Sequence, residues 1–185
     1  MKMIPSEIPI RAQSAAEKKV HRLLSDIPLE GAAAFWSVLL SEHEYKEHSE
    51  IDFLILSPKG IIVFEVKGGG VSCRDGKWIY KDRYGHEHIS QKGPFEQARS
   101  ARHALQNRLE KLLPKGTLDR VPFMWAVITP NTSLDENSVE WDRAQTINES
   151  DTSTPVEFSK AIKRLISYSH RKYEKVKNKK FKDLT

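Results

Sequence analysis

Residues 51–67 hold two runs of strand-forming residues, Ile51 to Leu56 and Ile61 to Lys67, with only Ser57-Pro58-Lys59-Gly60 between them. Branched and aromatic side chains favour extended backbone. Proline second and glycine fourth suit a type I turn. The segment therefore reads as a β-hairpin. Pairing Ser57 with Gly60 sets Leu56 against Ile61, Leu54 against Val63 and Asp52 against Glu65. Strand side chains alternate between faces, so Lys67 shares a face with Glu65. Asp52, Glu65 and Lys67 thus gather at the open end of a face otherwise made of Leu54, Leu56, Ile61 and Val63. A glycine bulge at the turn would move this register by one residue. Gly68-Gly69-Gly70 ends the second strand, because glycine packs nothing and loses the most entropy when extended.

Two carboxylates placed opposite each other repel and need a compensating cation. Lys67 is one candidate and a divalent metal another. Magnesium takes a few carboxylate oxygens and keeps several waters, which two acids at a strand end can provide. A bare acid-x-lysine on a strand is common, and the alternative is a sheet-edge ion pair worth little.

The flanking chain reads as alternating helices and strands. Ala16, Val20, Leu23, Leu24 and Ile27 recur at helical spacing, and Ser14-Ala-Ala-Glu17 fits a capping box, giving a helix over 14–25. A strand is expected at 35–40, and three more at 71–73, 78–81 and 87–89. The turns Asp75-Gly76 and Arg83-Tyr84-Gly85 separate those three. Pro94 opens a helix to about Leu113 with Ala98, Ala101, Leu105 and Leu112 inward. Pro122 to Thr129 reads as a strand buried on both faces, and Pro155 to about Lys177 as a final helix. The expected fold class is α/β, a mixed central sheet flanked by helices. We expect one domain over 1–169 and a basic tail or linker over 170–185.

Residues 49–56, the Ser-Pro-Lys-Gly turn and residues 61–68 resemble the core of the NERD (nuclease-related) domain family, placed in the PD-(D/E)XK superfamily. Ala16-Glu17 stands where that family has a Gly-Glu pair. Gly93-Pro94-Phe95-Glu96-Gln97 is similar to its Asn-Pro-x-x-Gln, with glycine for asparagine. The resemblance spans about 14–112 and, more weakly, the strand up to 129. It implies a restriction-endonuclease-like mixed central sheet flanked by helices, and a metal-dependent deoxyribonuclease with Asp52 and Glu65 as metal ligands and Lys67 as the catalytic lysine. Glu17 would sit near the metal, and Gln97 would position substrate or water. It further implies Mg2+ as cofactor with Mn2+ able to substitute, DNA as substrate in processing, repair or defence, and a helicase or ATPase module as partner. Glu17 and Gln97 each have a local alternative, in the capping box and in the first turn of a helix.

Other residues carry weaker signals. Arg99, Arg102 and Arg108 suit phosphate contacts or a solvated helix face. His86 and His88 alternate on a strand without further ligands, so a metal site there is the minor reading. Trp36 and Trp125 read as core. Trp78, on an outlying strand, could stack on a base, with packing the main expectation. Cys73 reads as structural. With one cysteine there is no internal disulfide. No apolar stretch reaches the length that spans a bilayer, and residues 1–11 lack the core of a secretion signal. These features lead us to expect a cytoplasmic protein.

The net charge of +5 is unevenly placed. Residues 170–185 carry seven basic and two acidic side chains, which leaves 23 of each sign in residues 1–169. The body is neutral by count, and strong DNA binders usually carry a basic face. A non-catalytic module that holds nucleic acid or a partner protein therefore stands as the alternative, and a helper domain for an attached enzyme as a third reading. No GxxxxGK[ST] loop occurs, so the chain has no motor of its own.

Overall fold

The computed structural model describes residues 1–9, 14–40, 49–82, 84–134, 141–178 and 180–184. Arg83 of the expected turn and Lys179 of the basic end lie outside the described residues. The elements are β1 (Lys2–Ile4), α1 (Ala15–Ser25), β2 (Ala33–Leu40), β3 (Ser49–Ser57), β4 (Gly60–Val66), β5 (Gly70–Arg74), β6 (Lys77–Lys81), β7 (Glu87–Ser90), α2 (Pro94–Leu112), β8 (Phe123–Ile128), β9 (Thr146–Ile147) and α3 (Pro155–Lys177). The fold is α/β with a mixed central sheet flanked by helices. The sheet has six strands in the order β1-β2-β3-β4-β8-β9. β2, β3 and β4 run antiparallel, while β1, β8 and β9 join their neighbours in parallel. β5, β6 and β7 form a separate antiparallel sheet.

The hairpin has the register expected from its turn. Leu56 pairs with Ile61 and Leu54 with Val63. Its two faces feed two cores. Phe53, Ile55, Ile62, Phe64 and Val66 pack under α1 and α3, with Val20, Leu24, Phe158, Ile162 and Leu165. Leu54, Ile61 and Val63 pack under α2, with Ala101 and Leu105. Each fully buried side chain of this size contributes about 1.5–3 kcal/mol relative to exposure, so the hairpin is anchored on both faces. β4 and β8 are central and parallel, which explains their unbroken apolar runs.

Several expectations need correction. Leu112 is 67% exposed rather than inward, because the last turn of α2 runs past the edge of the apolar face it covers. Trp36 and Trp125 are only partly buried. Trp78 shows the packing that is its main expectation: it is 3% exposed and packs against Phe95 and Trp141, which leaves the minor reading of a base-stacking face without support. Cys73 is exposed on β5 rather than packed inside. The short strands β1 and β9 were not foreseen, since three and two residues carry no readable alternation.

Residues 170–177 are the last turns of α3, which ends at Asn178 in a left-handed conformation. The chain then folds back. Phe181 packs on the His170 ring with centroids 4.0 Å apart, and Leu184 N–H donates to Pro58 O at 2.8 Å. Lys59 pairs with Asp183.

Gly93 explains one departure from the family pattern. A Cβ there would lie 2.2 Å from Trp78 Nε1 and 2.6 Å from its Cε2. The indole occupies the space an asparagine would fill. Because Trp78 is walled in, it cannot swing aside. Gly93→Ala is expected to cost about 2–3 kcal/mol through overpacking. Urea unfolding measures it, and an unchanged midpoint would show that the indole can move.

Candidate active site

The site forms where β3 and β4 part company. Residues 37 and 52 stand opposite each other in the β2–β3 register, yet neither is paired there. Ser37 has φ 53°, in the left-handed region that a serine adopts at a cost of about 1–2 kcal/mol. The β3–β4 ladder also stops, at Phe53–Phe64. In place of the next rung, Asp52 Oδ2 accepts from Val66 N–H at 2.6 Å. A side chain thus replaces a backbone partner and draws the carboxylate inward. Ile51 consequently packs with Leu54 and Val63, where strict alternation would put it beside Phe53.

Glu65 is buried, at 8% exposure, near the end of β4. Lys67 Nζ lies 2.7 Å from Glu65 Oε1. The backbone there is held from both sides. Lys67 N–H donates to Ile128 O at 2.9 Å, and Thr132 Oγ1 donates to Gly69 O at 2.9 Å. Gly69 has φ 75°, and a Cβ on it would meet Lys81 O at 2.2 Å, so only glycine lets β6 approach this closely. That approach puts Tyr80 beside the site. Lys67 Nζ is 5.7 Å from the Tyr80 ring centroid. The Tyr80 hydroxyl is buried without a hydrogen-bond partner.

Glu17 resolves its two roles through different atoms. Its backbone N–H donates to Ser14 Oγ at 3.1 Å, which caps α1. Its carboxylate accepts from Trp36 Nε1 at 2.7 Å. The negative charge of Glu17 acts on both Asp52 and Glu65, so the side chain belongs to the acidic cluster. The Ala16 that replaces the family's glycine fits because Gly68 faces it; a Cβ on Gly68 would sit 3.0 Å from the Ala16 Cβ.

The electrostatics are those of an undercompensated anionic site. Removal from water pushes the Asp52 carboxyl up to about 8, and the charge of Glu65 adds to the rise. The Val66 N–H and Lys67 only partly oppose it. Burial likewise raises Glu65 above the ordinary carboxylate range, against the pull of Lys67, while Glu50 and Glu17 add repulsion. Burial and then the Glu65 charge push the Tyr80 phenol up. One ammonium serves several carboxylates, and the surplus is negative.

Among the described residues, no three His, Cys, Asp or Glu side chains are disposed to hold a metal ion by themselves. Two carboxylates completed by water are nevertheless a donor set that magnesium accepts. Removal from water is the largest cause of the rise at Asp52 and Glu65, and the neighbouring carboxylates of Glu17 and Glu50 leave the cluster short of positive charge. On that ground the residues fit a divalent cation.

Four side chains come together: Asp52, Glu65, Lys67 and Glu17. Gln97 does not join them. It is half-buried in the first turn of α2, where its N–H donates to Gly93 O, and its amide makes no hydrogen bond to Asp52, Glu65 or Lys67. Arg99 and Arg102 lie further along α2, in a different depression. His86 pairs with Asp82 on the surface, and among the described residues no third ligand joins them to hold a metal.

Glu50 and Tyr80 were missed in the sequence. Glu50 sits two residues before Asp52 and accepts from Ser37 Oγ at 2.6 Å. Its parity with Asp52 was a usable signal. Nothing local announces Tyr80, which arrives from another sheet.

A model of the nuclease-related domain, NERD, matches residues 12–129. The chain belongs to the NERD family. The match covers well over half of the 185 residues and takes in α1, the β3–β4 hairpin, all of α2 and all of β8. No curated protein and no solved structure matches this NERD chain. No helix of its described residues is long and apolar enough to cross a membrane.

Proposed function

We propose that this NERD domain is a magnesium-dependent nuclease of PD-(D/E)XK type that hydrolyses DNA phosphodiester bonds in the cytoplasm. The observation that carries the reading is the convergence of partly buried Asp52 and buried Glu65 at the end of the hairpin, with Lys67 Nζ 2.7 Å from Glu65. Asp52 and Glu65 would hold the metal. When bound, Mg2+, or Mn2+ in its place, supplies Lewis acidity toward water and phosphate. Lys67 orients the attacking water and offsets charge that develops on the phosphate. The Val66 N–H fixes the Asp52 carboxylate, so that ligand need not be ordered on binding. Glu17, tethered by Trp36, adds negative charge that strengthens cation binding. A helicase or ATPase module, whose phosphate-binding loop does not occur in these 185 residues, would be the partner that supplies strand separation.

The test is cleavage of circular single-stranded and supercoiled double-stranded DNA with Mg2+, Mn2+ or EDTA. Metal-dependent nicking or linearisation is the expected result. Binding of DNA with no cutting under any metal, alone or with an added helicase partner, would turn the reading to a non-catalytic binding module.

A further inference from the structure

The neutral body conceals a local concentration of positive charge. β8 pairs with β9 only through Val127 and Ile128. Over Phe123 to Ala126 its outer edge therefore has no strand beside it among the described residues. α2 rises on one side of that edge and the second half of α3 on the other. The groove between them measures about 620 Å³. Arg99 and Arg102 line it from α2, and Lys172 and Lys177 from α3. Among its described lining residues there is no Asp or Glu. Arg102 is partly buried; among the described residues its Nε has no hydrogen-bond partner, and its other nitrogens meet Gln106 and His103. Burial and the neighbouring Arg99 both disfavour its charge. An arginine left this way lacks an anion.

Aromatic rings accompany the cations. Tyr168 and Trp125 line the same groove, each partly exposed, and Lys172 Nζ lies 4.5 Å from the Tyr168 ring centroid. Cations that track a backbone beside rings that accept bases are the recognition chemistry of single strands. Edge-guarding lysines would be the plain structural explanation, but they do not call for a half-buried arginine with no carboxylate partner among the described residues or for partly exposed rings.

Position also fits. Trp125 pairs with Val63, and Val127 with Glu65. The groove therefore begins about two residues, or roughly 7 Å along the sheet, from the level of Glu65. Arg99 lines both this groove and the cleft at the start of α2 beside Trp78.

We propose that the groove between α2, α3 and the open edge of β8 binds a single-stranded stretch of nucleic acid. Arg99, Arg102, Lys172 and Lys177 meet its phosphates, and Tyr168 and Trp125 face its bases. The assignment rests on the nuclease reading for the choice of nucleic acid over an acidic protein.

Binding is measured by fluorescence anisotropy in EDTA, so that cutting plays no part, using a labelled single strand of roughly 20 nucleotides. The Arg99→Ser/Lys172→Ser/Lys177→Ser variant changes only exposed side chains and keeps the wild-type circular dichroism. It is expected to bind at least about tenfold more weakly and to lower the slope of log K against log salt by about 2. Tyr168→Ala is expected to weaken the single strand by about fivefold or more and a matching duplex much less. Wild-type affinity in the triple variant would overturn the groove, as would triple-variant loss of polyglutamate binding with DNA binding intact. Equal effects of Tyr168→Ala on single strand and duplex would overturn the single-strand assignment. Cleavage is read separately. A wild type that binds through the groove without cutting sinks the nuclease reading alone, and one that cuts while the triple variant binds normally sinks the groove alone.

Discussion

Glu65→Ala is expected to remove metal-dependent DNA cleavage altogether, and Lys67→Ala to lower it by about a hundred- to a thousandfold. The asymmetry follows from what each side chain does. Glu65 is the buried carboxylate of the site and Asp52 a partly buried one, so the loss of Glu65 leaves Asp52 alone to hold a cation. Lys67 contributes a positioned charge, whose removal costs transition-state stabilisation but leaves the carboxylates in place. Both variants should stay folded, because neither residue packs in the apolar clusters. Rates on circular DNA, with thermal unfolding as the control, provide the check. Full activity in purified Glu65→Ala would place the chemistry elsewhere.

Asp52→Asn is expected to kill activity and at the same time stabilise the metal-free protein. The folded state holds the Asp52 carboxyl up to about 8, against 3.8 as the ordinary value. A raised acid binds its proton more tightly when folded. Its contribution to stability is complete below about pH 4 and is lost as pH rises toward 8. Asparagine keeps the oxygen that accepts from Val66 N–H but carries no charge. We expect Asp52→Asn to gain roughly 2–4 kcal/mol over wild type at pH 8 to 9, and little at pH 4. Mg2+ should close much of that gap in the wild type at high pH, since it binds the ionised carboxylates. Denaturant midpoints across pH 4–9, with EDTA and with Mg2+, test this. A wild type whose stability does not fall with pH in EDTA would mean that Asp52 is ionised without cost, and the electrostatic account of the site would fail.

These two outcomes share one cause. The site keeps negative charge away from water with one ammonium nearby, which destabilises the chain and readies it for a cation. Stability given up at a functional cluster is a common trade.

Much of this arrangement was readable from the chain. The turn residues 57–60 and the flanking apolar runs specify a hairpin register, because moving it by one residue would send every buried side chain to the wrong face. That register places Glu65 and Lys67 on one face with Asp52 nearby. The three helices were legible from apolar spacing and from Ser14, Pro94 and Pro155 at their starts. Short-range rules sufficed there, since each depends on residues a few positions apart.

The tertiary structure decided the remainder. Strict alternation misplaces Ile51, because the left-handed Ser37 and the Asp52–Val66 hydrogen bond interrupt both ladders at one level. Tyr80 reaches Lys67 only because Gly69 lets β6 come close, a contact between separate sheets. Glu17 could serve as cap or as site residue until its backbone was seen to take the first role and its carboxylate the second. The charge count called the body neutral, yet folding sorts Arg99, Arg102, Lys172 and Lys177 into one groove with no described acid. Sequence determined the pieces whose partners lie close along the chain. Long-range packing decided which charges and rings face one another, because those contacts join residues that no local periodicity connects.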